Sequence, residues 1–324
     1  MEVNYQSIYE GSANLTVYQS PKFIEMLNQV VGGKKVHLTC HKHNAAIPLL
    51  AKETSYGIVY NSLPFFGSCG GLIGGQTVCD DLSKNISEII NRSDFASLNV
   101  VSNWYNEAEF KINNIEFNEI KRINTSKRLS ALNGTSSNSM ETYHGKTRNI
   151  VRATLKEGLR VVDLSNNFDT VVEMHFMEMK YKNRTPKPIP FWENLIKNNV
   201  SGIDYLIFGA LLDANILGYI LFLLDSNLKQ IEYYVPCSTI EGRNINVNYF
   251  LLHESISEFA RMRYETLHFG GTHLDQKNLL RFKERWGAES REYKYYNTFN
   301  SSISKVPMNL LQLEAPFFFI KQNE

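Results

Sequence analysis

The chain has 324 residues, 43% of them hydrophobic and 21% charged, with a formal net charge of +1. That length accommodates two ordinary domains with real cores, and the balance of apolar to charged residues is that of a soluble globular protein. So small a net charge excludes an overall field drawing the chain to nucleic acid or anionic lipid, leaving only a local patch for such a ligand.

In chain order, Ser20-Pro21 predicts a helix start, with the serine as N-cap, running through Phe23, Met26, Leu27 and Val30 to a Gly32-Gly33 stop. Lys35 to His41 and Ala45 to Lys52 alternate as hairpin strands, and Gly57 to Leu63 is a further strand. A glycine-rich loop follows, Pro64-Phe-Phe-Gly-Ser-Cys-Gly-Gly-Leu-Ile-Gly74. It lacks the Gly-Lys-Ser/Thr ending of a phosphate-binding P-loop, so on sequence grounds Gly70 and Gly71 read first as a structural turn. Asp80 to Ile90 is an amphipathic helix; Ser97 to Ser102 and Phe117 to Ile123 are strands. Between Thr125 and Ser139 the composition turns to Ser, Thr, Asn and Gly, placing a loop or domain boundary there.

Asn138 with Glu141 resembles a capping box, opening one helix that runs to Gly158. Beside its apolar side, Arg148, Arg152 and Lys156 form a basic stripe at i, i+4 spacing, either a solvated face or a phosphate contact. Next come a strand (Leu159 to Leu164), a helix (Phe168 to Lys182), a Pro-rich break and a second helix (Phe191 to Asn198). Tyr205 to Leu212, Ile216 to Leu224 and Gln230 to Val235 are consecutive hairpin-linked strands. A loop from Ser238 to Asn248 leads to a helix from about Val247 to Arg263, then a strand into Phe269. Gly270-Gly271 supplies a tight turn, Asp275 an N-cap, and Gly287 the stop of the following helix; Ser290 to Tyr296 is the last strand. On that helix Leu279, Phe282 and Trp286 make an apolar face, and Lys283 falls on it. Such a lysine either snorkels from the edge of a core or holds its ammonium in a cleft to stabilise negative charge.

The His268-Phe-Gly-Gly turn, the Phe282-Lys283 helix and its Trp286-Gly287 end resemble the C-terminal signature of the Fem-type aminoacyltransferases. These belong to the tandem acetyltransferase-like (GNAT-fold) proteins. The element order, strand, two helices, three antiparallel strands, helix, strand, helix, strand, comes from periodicity; its GNAT name comes from the resemblance. The resemblance implies an α+β fold of two GNAT-like domains, each a mixed, mostly antiparallel sheet flanked by helices. The first spans 1–137, with a tail at 300–324 packing back on it, and the second spans 138–299. Implied by the same resemblance, Phe282 and Lys283 lie at the acyl-transfer site, and Gly70-Gly71 after the Leu-Pro-Phe strand end lines the acceptor cleft. Lys146 and Arg148 match a basic helix bordering that cleft, with Arg152 beside them. The strand Gln230 to Cys237 with its Tyr234, and the loop carrying Arg243 and Asn248, take the place that receives the acyl donor. Gly270 and Gly271 complete the binding set.

That loop has one glycine, Gly242, where acyl-CoA enzymes place a glycine-rich pyrophosphate loop, so Arg243 is either a phosphate contact or a surface arginine. Glu232 faces opposite to Ile231 and Tyr233, as a general base in the cleft or as a solvated strand glutamate. The expected activity is amide-forming acyl transfer to an amine of a cell-envelope precursor, a peptidoglycan peptide or an amino sugar. Its donor is aminoacyl-tRNA or acyl-CoA, with no tightly bound cofactor. Two rival readings are an acyl-CoA-dependent amino-sugar acyltransferase of surface polysaccharide synthesis and a catalytically idle nucleotide-sugar-binding module of the same fold. The eight histidines form no helical His pair, and Cys40, Cys69, Cys79 and Cys237 show neither metal spacing nor a disulfide framework, so no metal is expected. Without a leader or a membrane-spanning run, a cytoplasmic location is expected; tRNA is a candidate partner, DNA is not.

Overall fold

The computed structural model describes residues 4–13, 15–40, 42–63, 65, 69–75, 78–102, 104, 115–129, 136–197, 202–303, 305–316 and 318–319. In chain order these form α1 (Tyr5–Glu10), α2 (Pro21–Val31), β1 (Lys34–Cys40), β2 (Ala45–Thr54) and β3 (Gly57–Asn61). Then come α3 (Asp80–Ile90), β4 (Phe95–Val101), β5 (Asn118–Arg128), α4 (Ser136–Glu141), α5 (Gly145–Thr154) and β6 (Arg160–Asp163). α6 (Phe168–Tyr181) and α7 (Ile189–Trp192), the latter running into a π-helical turn at Glu193–Lys197, precede β7 (Asp204–Leu212), β8 (Asn215–Asp225) and β9 (Gln230–Ser238). The rest is α8 (Ile240–Asn244), α9 (Val247–Arg261), β10 (Thr266–His273), α10 (Lys277–Glu284), β11 (Glu289–Phe299) and α11 (Met308–Glu314).

The chain divides into two compact units, Met1–Arg122 with Glu292–Glu324, and Ile123–Arg291. In the first, the strand order is β1-β2-β3-β4-β11. β3 and β4 pair in parallel and the other neighbours antiparallel. Ser20 caps α2 by accepting a bond from the Phe23 N–H, and Gly32 ends it in the left-handed region. Leu82 and Ile86 on the inner face of α3 pack against Leu38, Ile47, Leu98 and Val100 of the sheet. The C-terminal segment is held in this unit. Phe318 O accepts a 2.8 Å bond from Asn61 Nδ2, and its ring meets Phe65 at 4.9 Å.

In the second unit the order is β10-β9-β8-β7-β6, with the end of β5 beside β10. β9 and β10 are parallel; β6 to β9 are antiparallel. Ile220, Phe222, Ile231 and Leu267 on one sheet face bury against Phe250, Leu251 and Phe259 of α9 and Trp286 beyond α10. Each unit is thus an α+β layer of the expected mixed, mostly antiparallel kind.

Three local readings are corrected. The expected single helix over 138–158 is two, because Tyr143 is buried between them and the His144 N–H donates to Arg285 O at 2.8 Å. Part of the expected 125–139 loop is strand: β5 runs to Arg128, where buried Lys127 donates to Thr142 Oγ1 and Trp286 O. Residues 130–135 lie outside the described ones. Gly270-Gly271 is not the turn. β10 continues through both glycines to His273, and the chain turns only at Leu274 to Gln276, where Gln276, not Asp275, precedes the helix.

Candidate functional site

β9 and β10 pair only over Gln230–Glu232 with Thr266–His268. Beyond that point β9 bulges: Phe222 of β8 still faces Tyr233, but Leu221 faces Val235, leaving Tyr234 as the extra residue. β10 bends at Gly270, whose φ of 72° suits a residue without Cβ. Both irregularities fall just past the last paired residues, Glu232 and His268.

α10 delivers Lys283 to this place. Trp286 is fully buried, ring to ring with Tyr143 (4.9 Å) and Tyr249 (5.5 Å), and Phe282 meets Tyr249 edge-on at 5.5 Å. The aromatic anchors fix the helix rotation so that Lys283 turns inward, 4% exposed. Its Nζ donates to Gly270 O at 2.8 Å and Gly271 O at 3.3 Å. Leu279, expected on the same face, is 42% exposed: the buried stripe of α10 is narrower than the spacing implied. Burial lowers the Lys283 pKa to about 7, opposed by the charge of Glu232.

Glu232 is 1% exposed, so the solvated-strand alternative fails, and His268, its partner across the strands, is equally buried. Burial pushes His268 down to about 3. It is therefore a neutral imidazole at any physiological pH. Burial, with Glu232 adding to it, raises the Tyr234 phenol. Lys187 has its Nζ 4.8 Å from the Tyr234 ring centre and 5.3 Å from that of Phe191, and burial brings its ammonium down to about 7. The structure therefore groups Lys283, Glu232, Tyr234, Gly270 and Gly271, and adds His268 and Lys187. Lys187 sits in the Thr185-Pro-Lys-Pro-Ile-Pro190 stretch, where a cation held among prolines ahead of an aromatic pair was its only sequence signal. His268 shares a sheet face with Glu232 only once the register is known.

The remaining candidates lie elsewhere. Arg243 bonds the buried Glu178 carboxylate at 3.4 Å, stacks on Tyr181 at 4.1 Å, and lines a cavity of about 470 Å³ with Met174, Met177, Ser238 and Thr239. Asn248, in the first turn of α9, has a buried amide oxygen without a hydrogen-bond partner among the described residues. Arg148 folds back to donate to Tyr143 O at 2.8 Å, whereas Arg152 is exposed. Gly70 and Gly71 belong to the first unit, where Ser62 takes both N–H groups: Gly70 N–H bonds Ser62 O (3.1 Å) and Gly71 N–H bonds Ser62 Oγ (2.7 Å).

The fold of two α+β units, which here carries a buried lysine where two parallel strands part, is shared with solved structures. Among solved structures, FemX matches with a TM-score of 0.67 at 13% identity, over 97% of this chain and 98% of that one. A conserved protein of unknown function from Bacteroides thetaiotaomicron gives 0.59 at 11% identity, covering 91% of this chain and 95% of that one. The C-terminal domain of a putative lysylphosphatidylglycerol synthetase from Agrobacterium fabrum gives 0.57 at 9%, covering 92% and 93%. At such identities the likeness is one of fold. No family model and no curated protein matches the sequence. Among the described residues, no helix is long and apolar enough to cross a membrane.

Proposed function

We propose that this protein is an acyltransferase that moves an aminoacyl or acyl group from an activated ester to an amine of a cell-envelope precursor. One observation carries the reading: the buried Lys283 ammonium, held on the Gly270 and Gly271 carbonyls beside Glu232, where β9 and β10 cease to pair. In the reaction the amine nitrogen bonds the acyl carbon and the ester C–O bond breaks. Lys283 stabilises the tetrahedral oxyanion and then protonates the leaving oxygen, while Glu232 takes the proton lost by the amine. Lys187 holds its cation over the ring of Tyr234, two residues along β9 from Glu232.

The peptide or amino-sugar acceptor follows from the Fem-type resemblance, and aminoacyl-tRNA is the favoured donor because the segment after β9 forms α8 rather than a glycine-rich phosphate loop. The fold likeness to a putative lysylphosphatidylglycerol synthetase supports a second acceptor, a lipid hydroxyl, with an ester as product. The test incubates the protein with aminoacyl-tRNA or acyl-CoA and a panel of muramyl-peptide, amino-sugar and phosphatidylglycerol acceptors, read by mass spectrometry. Product with the parent protein and its loss in Lys283→Met is the expected result. A Lys283→Met variant as active as the parent excludes the mechanism.

A further inference from the structure

The sequence gives no reason to connect Cys40 with Cys79, which lie on different elements. The fold of the first unit brings them together. Cys40 ends β1, buried at 1% exposure; Cys79 is the N-cap residue of α3 and half-buried; Asp81 is the second residue of that helix and exposed. Their two sulfurs and one carboxylate oxygen all lie within 4.8 Å of one another.

The geometry points to a site for a thiophilic divalent cation of the zinc class, held by Cys40, Cys79 and Asp81. Zn–S bonds of about 2.3 Å and Zn–O bonds of about 2.0 Å set the S···O edge of a tetrahedral site at about 3.5 Å. Cys40 Sγ lies 3.5 Å from Asp81 Oδ2. Two sulfurs beside one oxygen select zinc over magnesium or calcium, which demand oxygen shells.

The surroundings support the charge balance. Two thiolates and a carboxylate sum to −3 against +2, and the α3 N-terminus, where Cys79 has no side-chain cap bond of its own, favours net negative charge. The His43 backbone N–H hydrogen-bonds the Cys40 sulfur and stabilises its anionic form. Cysteine binds such a cation as the thiolate, so uptake at a site of this kind is coupled to proton release. Asp81 is exposed and Cys79 half-buried, so a fourth position on that side is open to water. The bound cation ties the end of β1 to the start of α3 and so reinforces the packing of Leu82 and Ile86 on the sheet. The site stands independently of the acyl-transfer reading, since none of its residues belongs to that chemistry.

Cobalt(II) titration of the full chain, after chelator treatment under reducing conditions, tests the assignment. One cobalt per chain is expected, with an intense thiolate-to-cobalt charge-transfer band that zinc abolishes by displacement. Cys79→Ser, at a half-buried position, is expected to weaken binding by about 100-fold and halve the band; Asp81→Asn, at an exposed one, is expected to weaken binding by about 10-fold and keep it. Zinc, but not magnesium, is expected to raise the thermal midpoint of the parent and not of Cys79→Ser. Binding without the charge-transfer band, or undiminished in Cys79→Ser, overturns the proposal. So does a chain that takes up no cobalt, whether its thiols stay free or oxidised glutathione converts Cys40 and Cys79 to a disulfide.

Discussion

Lys283→Met removes a buried charge while keeping an unbranched apolar side chain of similar length, and the structure fixes what this does to stability. In the unfolded chain the lysine titrates near 10.5; in the folded protein burial holds it at about 7. Folding therefore favours the neutral amine. The charge penalty is fully present below about pH 7, shrinks as pH rises through the window from 7 to 10.5, and is gone above it. At pH 6 the penalty is about 5 kcal/mol, and at pH 9 about 2 kcal/mol, taking 1.36 kcal/mol per tenfold change. The carbonyls of Gly270 and Gly271 lose their donor in the variant, but Gly271 is exposed and Gly270 half-buried, so water replaces it at small cost. Lys283→Met is therefore expected to be more stable than the parent at pH 6 and to lose about 3 kcal/mol of that advantage by pH 9.

Urea unfolding of both proteins at the two pH values, with matched m-values, measures the difference. Parallel pH dependence, or a variant less stable at pH 6, refutes the account of a lysine buried at a cost. Turnover supplies the complementary arm. Loss of an oxyanion partner typically lowers turnover by about 10²–10³-fold, so a stabilised and inactive variant is the expected combination.

Glu232→Gln removes the charge that holds the Lys283 pKa up, so the high-pH limb of the kcat/KM profile is expected to move to lower pH; an unmoved limb dissociates the two groups. Gly70→Ala places a Cβ 2.4 Å from Ser62 Oγ and 2.7 Å from Ser62 O, and is expected to destabilise the protein by about 1–3 kcal/mol, read as a lower urea midpoint. Arg152→Ala is expected to leave thermal stability unchanged and, with aminoacyl-tRNA as donor, to lower the slope of log affinity against log salt by about one; an unchanged slope removes Arg152 from the tRNA contact.

Elements whose signals are local were legible in the sequence. The β7–β8–β9 meander shows its turns because Asp213 takes a positive φ and Asp225 Oδ1 accepts the Asn227 and Leu228 N–H groups, both side-chain properties. α3 is bounded as its amphipathic pattern predicts. Where tertiary contacts decide, the reading failed. α8 lay hidden in the Ser238 to Asn248 loop, because five residues capped by Thr239 show no apolar period. The strand through Gly270-Gly271 depends on its neighbours, not on glycine propensity. Of the site, Lys283 was legible because α10 places a charge next to Phe282 and Trp286. Lys187, His268 and the Cys40–Cys79–Asp81 cluster were not, since each acquires its meaning from a residue far away in the chain.

The hydrogen bonds of Lys283 decide which protonation state can act. A lysine ammonium has three donors and a neutral amine two. Gly270 O and Gly271 O take two. Only the charged form has a donor left for an oxyanion, and with a pKa of about 7 that form is lost just above neutrality. The charge that serves the reaction is the same charge that burial penalises, so the protein gains stability over the pH range in which it loses the active ammonium. Glu232 moderates the conflict by holding the lysine charged to higher pH than burial alone allows, which requires the carboxylate itself to stay inside the fold. A solvated glutamate at that position, screened by water, would do less to keep the ammonium charged.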